Sequence, residues 1–414
     1  MELKLTATGA THDGKGVCRY NGKAVFVEGL IVEETALCEI VSTGKKFDIG
    51  RVISIETPCR DRIISDCPVY EKCGGCNYRH MTYKKELELK AQRVKDAFRK
   101  LAGVDISEIK IHPSEEKLRN KSTFQFNGFN YGFYEEKSHS MVDVSGCKII
   151  HPVMLEIANT VSKIAKENNI TDIKTLSVRV NRNLGEISVF IETKKSNHQV
   201  FKLLGNEFPN ITAININGKN IYGKGYITDT LCGNVLNISP LSFYQINPTQ
   251  AEIAYTLAAD MAGLNETHTA LDLCCGIGSI TLYLAKRCKK VYGAEIVPAA
   301  IENAKENAKL NDIKNAQFVC NDAAKALQTY EKQGVRPDII FVDPPRAGLD
   351  MPCKEAIVKF APEKISYISC DCATLARDAA FFIANGYKLS CVEAIDFFPR
   401  TAHIETVASF TRCK

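Results

Sequence analysis

The chain has 414 residues and a formal net charge of +5, with 45% hydrophobic and 24% charged residues. This composition is ordinary for a folded globular protein, and the length predicts about three domains. The N-terminal sequence has no basic start followed by an apolar core, and no stretch is apolar enough to cross a bilayer, so we expect a cytoplasmic protein without a leader or membrane anchor. The mild positive charge permits a nucleic-acid partner without requiring one.

Residues 1–58 are predicted to form a small β-domain. Asn21-Gly22 separates two strand-like segments and is typical of a tight hairpin turn. A second pair of strand-like segments flanks residues 42–45. Several strands in so short a segment favour a small closed barrel. Such barrels often bind oligonucleotides, although fold alone does not establish that activity.

Residues 59–235 are predicted to form a central, β-rich domain. A helical pattern near residues 83–101 has one apolar face and many lysine and arginine residues on the rest of its surface. Such a basic face is either solvated or in contact with RNA, and the helix is also placed to pack on the domain that follows. Further along, strand-like segments with alternating apolar residues flank one amphipathic helix.

The chain contains seventeen cysteines. Because we expect no export leader, metal binding or catalysis explains them better than disulfides do. Three closely spaced thiols, Cys67, Cys73 and Cys76, lie in a loop-like stretch, and Cys147 is the candidate for a fourth ligand. Ligation by cysteine alone suits zinc and iron–sulfur clusters alike, and the spacing does not decide between them. Cys59 is a spare thiol or an alternative ligand.

Residues 236–414 alternate between strand-like and helix-like segments, which predicts a doubly wound α/β sheet. In such a sheet, ligands bind at the carboxyl ends of the strands. Acidic residues stand at four successive strand ends: Asp272, Glu295, Asp322 and Asp343. A carboxylate at the second of these positions can accept hydrogen bonds from both ribose hydroxyls of a nucleoside cofactor.

A glycine-containing loop follows the first of these strands. Gly276 and Gly278 let the backbone approach a ligand closely before the next helix begins. The loop alone would also fit a dinucleotide site or a simple tight turn, but Thr281 stands where the dinucleotide fingerprint has its third glycine. The four acids together with this loop favour a nucleoside cofactor.

Cys370 stands at the carboxyl end of the fifth strand, before a helix whose N-terminus is expected to lower the pKa of the thiol. A thiolate that adds to C6 of uracil makes C5 nucleophilic enough to take a methyl group, and a base must afterwards remove the C5 proton. Glu405 begins the last strand and can bring a carboxylate to the same edge. Taken singly, Cys370 fits a buried strand-end residue and Glu405 an edge charge.

The fourth strand ends in Asp343-Pro344-Pro345-Arg346. Amino-group methyltransferases usually have an aromatic residue after Pro-Pro that stacks on the base, whereas a guanidinium favours phosphate or carboxylate contacts. This argues against N-methylation of adenine. DNA cytosine-5 methyltransferases normally place a Pro-Cys nucleophile in this loop, so this class is disfavoured as well.

Five motifs occur together, and their combination resembles the bacterial RNA uracil-5 methyltransferase family over nearly the whole chain. The motifs are SFYQIN at 242–247, DLxCGxG at 272–278, DPPR at 343–346, SCxxATLARD at 369–378 and PxTxHxE at 399–405. The resemblance implies a TRAM-like RNA-binding barrel at 1–58, a central domain at 59–235, and a Rossmann-like methyltransferase domain at 236–414 that uses S-adenosylmethionine (SAM).

The resemblance also implies residue roles. Cys370 attacks C6 of the uracil, and Glu405 removes the C5 proton. The residues implied to line the SAM and uracil pockets are Gln245, Cys274, Gly276, Ser279, Glu295, Asp322 and Asp343. Members with this cysteine pattern carry a 4Fe–4S cluster, which implies four ligands: Cys67, Cys73, Cys76 and Cys147.

The expected partner is RNA. Arg119 and Lys121 are candidates for phosphate contacts, and Phe243 for stacking on a flipped base. The predicted barrel and cysteine cluster resemble the branch of the family that modifies 23S rRNA more than the branch that modifies tRNA, and we expect a monomer. The alternatives are a tRNA uridine-5 methyltransferase and a catalytically inactive iron–sulfur factor for ribosome assembly.

One departure from the family pattern lies beside the predicted nucleophile. The family usually has Asn-Pro after the catalytic cysteine, and this chain has Asp371-Cys372. A carboxylate at Asp371 is expected to raise the pKa of Cys370.

Overall fold

The computed structural model describes residues 1–114, 119–136, 138–183, 185–195 and 198–413. The chain has a mixed α/β fold, as predicted, built on three sheets of six or more strands. No helix within these ranges is long and apolar enough to cross a membrane.

The N-terminal segment forms a six-stranded sheet. Its strands are β1 (Glu2–Thr6), β2 (Gly9–Ala10), β3 (Gly16–Tyr20), β4 (Lys23–Glu28), β5 (Thr35–Thr43) and β6 (Phe47–Thr57). The order is β1-β5-β6-β4-β3-β2, so β1 and β2 stand at its edges. Asn21 and Gly22 both have positive φ, as a two-residue hairpin turn requires, and the predicted hairpin is confirmed. Closure of this sheet into a barrel stays a prediction.

The segment after this sheet leads to helix α1 (Tyr83–Ala97), a π-helical turn (Phe98–Ala102) and the short strand β7 (Ile111–His112). Thr82 caps α1, since its hydroxyl accepts the Lys85 N–H. Gly103 has a left-handed conformation and ends the helical run, as its sequence position predicts.

A seven-stranded sheet forms the middle of the chain. Its strands are β8 (Lys121–Asn127), β9 (Asn130–Tyr134), β10 (Met141–Val142), β11 (Ile173–Val180), β12 (Ile187–Thr193), β13 (Ile211–Ile216) and β14 (Lys219–Gly223). They follow the order β10-β9-β8-β11-β12-β13-β14. The amphipathic helix α2 (Pro152–Glu167) buries its apolar face in the same core, and α3 (Leu204–Glu207) is a single turn. A hairpin of β15 (Ile227–Leu231) and β16 (Asn234–Ile238) follows.

The C-terminal sheet has eight strands in the order β19-β18-β17-β20-β21-β23-β22-β7. This part of the chain supplies seven of them, which confirms the predicted alternation of strands and helices: β17 (Thr269–Asp272), β18 (Lys290–Glu295), β19 (Ala316–Cys320), β20 (Ile339–Val342), β21 (Lys364–Ser369), β22 (Tyr387–Ile395) and β23 (Glu405–Arg412). Strands β17 to β21 are parallel, and β23 is antiparallel to both its neighbours. Strand β7, from the segment before the central sheet, completes the edge.

Helices cover both faces of this sheet. They are α4 (Pro248–Met261), α5 (Ser279–Ala285), α6 (Pro298–Leu310), α7 (Ala323–Lys332), α8 (Met351–Phe360) and α9 (Cys372–Ala384). Alternate residues of β17 enter two separate cores, Ala270 on one face and Leu271 on the other. Both faces of the strand are therefore buried, which is the reason that these strands are nearly continuous apolar runs.

The sheet order reverses at β17. Strand β18 lies on one side of β17 and β20 on the other. Loops after β17 and β20 therefore leave toward opposite faces, and a crevice opens between them at the carboxyl ends. This crevice is where the predicted acidic strand ends meet.

Helix α1 buries charged residues against the C-terminal part of the chain. The Lys90 ammonium is fully buried and lies 2.6 Å from Glu86 Oε1 and 2.7 Å from Asp396 Oδ1. It also donates to the Phe398 carbonyl, and the Tyr83 hydroxyl donates to the second oxygen of Asp396. The predicted basic face is therefore partly an internal surface, because Lys90 is buried against two carboxylates.

Replacing Lys90 with methionine is expected to destabilise the protein by about 3–5 kcal/mol, because two buried carboxylates lose their shared cation. Urea unfolding followed by fluorescence measures the change. Lys84→Met is the matched control, since Lys84 is exposed on the same helix, and its effect should stay within about 0.5 kcal/mol. Equal stability of the two variants would contradict a stabilising role for the network.

Candidate active site

The loop after β17 is organised by two carboxylates. Asp272 is fully buried and accepts hydrogen bonds from the Thr281 hydroxyl (2.6 Å) and the Cys274 N–H (3.3 Å). Burial raises the pKa of Asp272 to about 6. Glu295, at the end of β18, accepts the Gly276 N–H at 3.2 Å and the Val297 N–H at 2.9 Å. The two acids therefore fix the glycine loop through hydrogen bonds to Cys274, Gly276 and Thr281.

The glycines of this loop have left-handed backbones, with φ of 52° at Gly276 and 89° at Gly278. A Cβ on Gly276 would meet no atom within 4 Å, so open space lies above the loop. Gly278 packs near Ala304, where a Cβ would approach within 3.2 Å of that side chain. The loop thus combines a close helix contact with a free surface, and it ends at Ser279, whose hydroxyl is 3.2 Å from the Tyr255 hydroxyl.

The other two predicted acids differ in their surroundings. Asp322 caps α7 by accepting the Lys325 N–H at 2.9 Å, and this hydrogen bond lowers the pKa of Asp322. Desolvation and the nearby Asp272 raise the pKa of Asp343. The Gln245 side-chain amide donates to Asp343 at 3.4 Å. Four strand ends therefore carry acids at one edge, as the sequence predicts. The charge of Glu295 acts on Asp272, and the charge of Asp272 acts on Asp343.

The segment 242–247 reaches this edge from outside the sheet. The Asn120 N–H donates to the Ile246 carbonyl at 2.9 Å, and its side-chain amide donates to the Gln245 carbonyl at 3.0 Å. Asn247 caps α4. Phe243, which precedes these anchored residues, is 72% exposed. A large apolar ring is thus presented to solvent from a segment whose backbone is fixed.

Cys370 and Glu405 come together through strand register. Ser369 of β21 pairs with Thr406 of β23, so the next step of the antiparallel ladder sets Cys370 opposite Glu405. The Glu405 side chain is buried. Burial and Asp343 raise the pKa of Glu405 well above its usual range, while Arg346 opposes this shift. A thiol, a carboxylic acid and a guanidinium from three different strand ends therefore share one site.

The free thiol is less acidic than the sequence predicts. Burial and then Glu405 raise the pKa of Cys370 to about 11; Asp343 and Asp371 add to the shift, and Arg346 opposes it. The expectation of a lowered pKa is therefore wrong for the free protein, because burial and three carboxylates disfavour the thiolate. The expected direction for Asp371 is confirmed, although burial and Glu405 have larger effects.

Asp371 itself caps α9. Its Oδ1 accepts the Ala373 N–H at 2.8 Å and the Thr374 N–H at 3.1 Å. The Ser369 hydroxyl donates to the Asp371 carbonyl at 3.0 Å. The turn that carries Cys370 is therefore fixed on both sides.

The Arg377-Asp378 pair at the end of SCxxATLARD was not given a role from sequence. Asp378 is fully buried and accepts from the Leu349 N–H (2.9 Å), Lys354 (3.1 Å) and the Tyr367 hydroxyl (2.8 Å). Arg377 donates to the Ala347 carbonyl at 2.8 Å. This pair fixes the loop that carries Arg346. The position of Arg377-Asp378 inside the SCxxATLARD motif was the sequence signal for such a role.

His403 also lies in the site and was not singled out from sequence. Burial lowers its pKa to about 4, and Arg346 and Arg93 act in the same direction. The imidazole is therefore neutral at physiological pH. Its position within PxTxHxE, two residues before Glu405, was the available signal.

The four cysteines predicted as ligands line one small cavity of about 20 Å³, together with apolar residues such as Val69, Val144 and Ile149. Arg119 lies close enough to act electrostatically on Cys73, Cys76 and Cys147. Within the described residues, no group of three or more Cys, His, Asp or Glu side chains forms a site for a metal ion. Cys59 packs elsewhere, in a small cluster with Ile31 and Met81.

The candidate RNA contacts fall in different places. Arg119 is partly buried beside the cysteines, and this burial lowers its pKa. Lys121 is partly buried next to Arg179, and burial again lowers its pKa. Phe124 and Phe126 are core residues of the central sheet. Of the three predicted contacts, only Phe243 is largely exposed.

A family model decides the identity of this site. The model described as tRNA (Uracil-5-)-methyltransferase matches residues 82–412, which is most of the chain. The chain belongs to this family.

Similar proteins agree with the family assignment. An uncharacterized RNA methyltransferase of Halalkalibacterium halodurans is 34% identical, covering 98% of this chain and 96% of its own length. An uncharacterized RNA methyltransferase of Staphylococcus aureus is 35% identical over 98% of this chain and 97% of its own length. The crystal structure of the Pyrococcus abyssi tRNA (uracil-54, C5)-methyltransferase in complex with S-adenosyl-L-homocysteine superposes with a TM-score of 0.79 and 25% identity, covering 99% of each chain. The chain is an RNA methyltransferase.

In this methyltransferase, Gly348→Ala is expected to lower methyl transfer at least about tenfold by displacing the Arg346 loop. Gly348 has φ +75°, and a Cβ would lie 2.6 Å from both Asp378 Oδ2 and Arg377 Nη2. Gly386→Ala is the control, because Gly386 has φ +86° but nothing within 4 Å; it should lose only about 1–2 kcal/mol of stability. Unchanged activity in Gly348→Ala would contradict the role of this loop.

Proposed function

We propose that this RNA methyltransferase uses SAM to methylate carbon 5 of uridine, with Cys370 as the nucleophile and Glu405 as the base. The observation that carries the proposal is the register of β21 and β23, which sets the thiol opposite a buried carboxylic acid. The family and the uracil-C5 activity named for the Pyrococcus abyssi enzyme support it. An amino-group methyltransferase would need neither residue.

The glycine loop and its acids fit SAM. When bound, SAM supplies an electrophilic methyl group. Glu295 would accept the ribose hydroxyls, and the open surface above Gly276 leaves room for the cofactor. Ile296, which is 66% exposed beside Glu295, offers an apolar surface to the adenine. Gln245, Cys274, Ser279, Asp322 and Asp343 complete the proposed lining.

Cys370 adds to C6 of the target uracil as a thiolate. Its raised pKa means that the free protein holds mainly the thiol, so the proton must leave as the substrate binds. Arg346 is the cation that favours the thiolate. A bound base excludes water from the site and so strengthens this attraction. The target base must leave its stack to reach Cys370, and the exposed ring of Phe243 can stack with it.

Glu405 takes the C5 proton after methylation. A carboxylate with a raised pKa is a stronger base than one in water, so the shift suits this role once Glu405 has lost its own proton, which Arg346 favours. Removal of the proton restores the double bond and releases Cys370. The neutral His403 imidazole and the Gln245 side chain, which Asp343 holds by a hydrogen bond, can keep the uracil edge in place during both steps.

We propose 23S rRNA as the substrate. A TRAM-like barrel at 1–58, a central domain at 59–235 and the methyltransferase domain at 236–414 would bind it. The protein would act as a monomer in the cytoplasm. Arg119 and Lys121 would support the RNA from the central domain. Transfer RNA is a second candidate, because the Pyrococcus abyssi enzyme acts on tRNA and its alignment covers 99% of this chain. The N-terminal sheet and the cysteine region therefore do not separate the two substrates.

For the cysteine cavity, we propose a 4Fe–4S cluster held by Cys67, Cys73, Cys76 and Cys147. The four thiols line one cavity, and ligation by cysteine alone suits an iron–sulfur cluster or zinc. The resemblance to family members with this cysteine pattern favours the cluster. The Arg119 guanidinium offsets the negative charge of the thiolates. Methyl transfer requires no electrons, so the proposed role is to hold the central domain in shape.

The nucleophile is tested with Cys370→Ala, which is expected to abolish methyl transfer to undermodified RNA, and with Glu405→Gln, which should accumulate a covalent protein–RNA adduct because the C5 proton stays in place. Methyl transfer is measured with SAM that carries a radiolabelled methyl group, and the adduct is measured on denaturing gels with radiolabelled RNA. Cys391→Ala, at an exposed thiol on β22, is the matched control and should keep full activity. Methylation that persists in Cys370→Ala would overturn the proposal.

The substrate is tested with both RNAs from the same undermodified cells. Purified protein is incubated with SAM and either 23S rRNA or tRNA, and the methylated nucleotide is mapped by mass spectrometry. Incorporation into rRNA alone supports the first candidate. Incorporation into tRNA alone replaces it with the second.

The cluster is tested by metal analysis of protein purified without oxygen. Cys73→Ser and Cys147→Ser are expected to lose iron, acid-labile sulfide and RNA affinity, while Cys59→Ser should retain all three because Cys59 lies outside the cavity. Zinc without sulfide in the unaltered protein would exclude an iron–sulfur cluster. Iron loss with intact folding and RNA affinity would exclude the structural role.

A further inference from the structure

One face of α1 touches the two loops that carry the reacting groups. Tyr83, Glu86, Lys90 and Arg93 follow helical spacing and so lie along one stripe. The first three of these residues bind the segment from Asp396 to Arg400, which leads into Glu405. The fourth reaches further, to both loops at once.

Arg93 is largely buried, with 15% of its side chain exposed. Its Nη1 donates to the Ala402 carbonyl at 2.7 Å, three residues before Glu405. Its Nη2 lies 4.0 Å from Asp371 Oδ2, in the turn that carries Cys370. The same guanidinium donates to the His12 carbonyl of the N-terminal sheet region at 3.2 Å. One side chain therefore joins three segments that are distant in sequence.

The contact with Asp371 bears on the departure from the family pattern. Asp371 Oδ1 is already occupied by the two backbone N–H groups of the α9 cap, and Oδ2 faces Arg93. The negative charge that this chain carries beside the thiol is therefore balanced by a helix N-terminus and by a guanidinium. Without Arg93, this charge would act more strongly on Cys370.

We propose that Arg93 is a positioning residue for the methylation reaction, which aligns the nucleophile turn with the loop of the base and neutralises Asp371. The inference rests on the proposed roles of Cys370 and Glu405. Other charged groups also face the thiol: Glu405 from β23, Asp343 and Arg346 from the loop after β20, and Asp371 from its own turn. Arg93 acts through Asp371 and the backbone, and it does not touch the substrate.

The test measures the thiol and the reaction separately. The pH dependence of Cys370 alkylation by iodoacetamide, read by peptide mass spectrometry, reports the thiol without RNA or SAM. Arg93→Met is expected to raise the alkylation midpoint by about half to one pH unit. It should also lower kcat about tenfold or more, with KM for RNA changed less than threefold, because alignment is lost while RNA contacts remain.

Two further variants separate charge from alignment. Asp371→Asn is made alone and together with Arg93→Met. If Arg93 acts through the charge of Asp371, Arg93→Met raises the alkylation midpoint less in the Asp371→Asn background than in the unaltered protein, whereas a purely structural role shifts it equally in both. Arg93→Lys keeps the charge but loses the fork, so it should keep the midpoint and lose part of kcat. If Arg93→Met does not fold, Arg93→Gln, which removes the charge but keeps an N–H donor, takes its place in the same comparison.

Arg99→Met is the control, because Arg99 is exposed in the turn that follows α1 and pairs only with Asp96 in the contacts described. It should change neither measurement. A folded Arg93→Met protein with an unchanged midpoint and unchanged kcat would overturn the inference. If instead Cys370→Ala remains active while the midpoint shift occurs, the proposed function fails and the contact with Asp371 stands.

Discussion

The site depends most on the ion pairs that the buried Lys90 ammonium makes with two carboxylates. A cation removed from water needs compensation from close carboxylates, and here Glu86 and Asp396 provide it from two segments far apart in sequence. The pairing fixes α1 against the segment that leads into Glu405. Arg93 then occupies a defined place one helical turn further on. The loop before Glu405 and the turn that carries Cys370 are therefore positioned by a helix outside the main run of strands.

Much of the C-terminal domain could be predicted from sequence, because its strands are apolar on both faces and end in acids. The direction in which α1 faces could not be predicted. The helical pattern of α1 predicts that its lysine and arginine residues face solvent. Lys90 is buried instead because it pairs with Asp396, which lies 306 residues away in sequence. Strand β7 is hidden for the same reason: two residues carry no periodicity, and only the free edge of β22 makes them a strand.

The chemistry of the site shows the same division between local and distant effects. A helix N-terminus after Cys370 is a local feature, and it favours a thiolate. Burial and the carboxylate of Glu405 are tertiary features that reverse the sign. Arg119 looks like an RNA contact in its own sequence surroundings, yet its charge faces three cysteines, of which Cys147 comes from a later segment. Sequence identified the participating residues better than it identified their ionisation.

The edge strand β7 has a consequence for how the protein can be divided. The catalytic motifs all follow residue 236, but the sheet that carries them is completed by Ile111–His112 and is covered in part by α1. A fragment that starts at 236 would leave β22 with unpaired backbone groups, a surface that recruits other chains and promotes aggregation. The family match begins at residue 82, just before α1. The smallest part of this enzyme that keeps the C-terminal sheet complete therefore begins before α1.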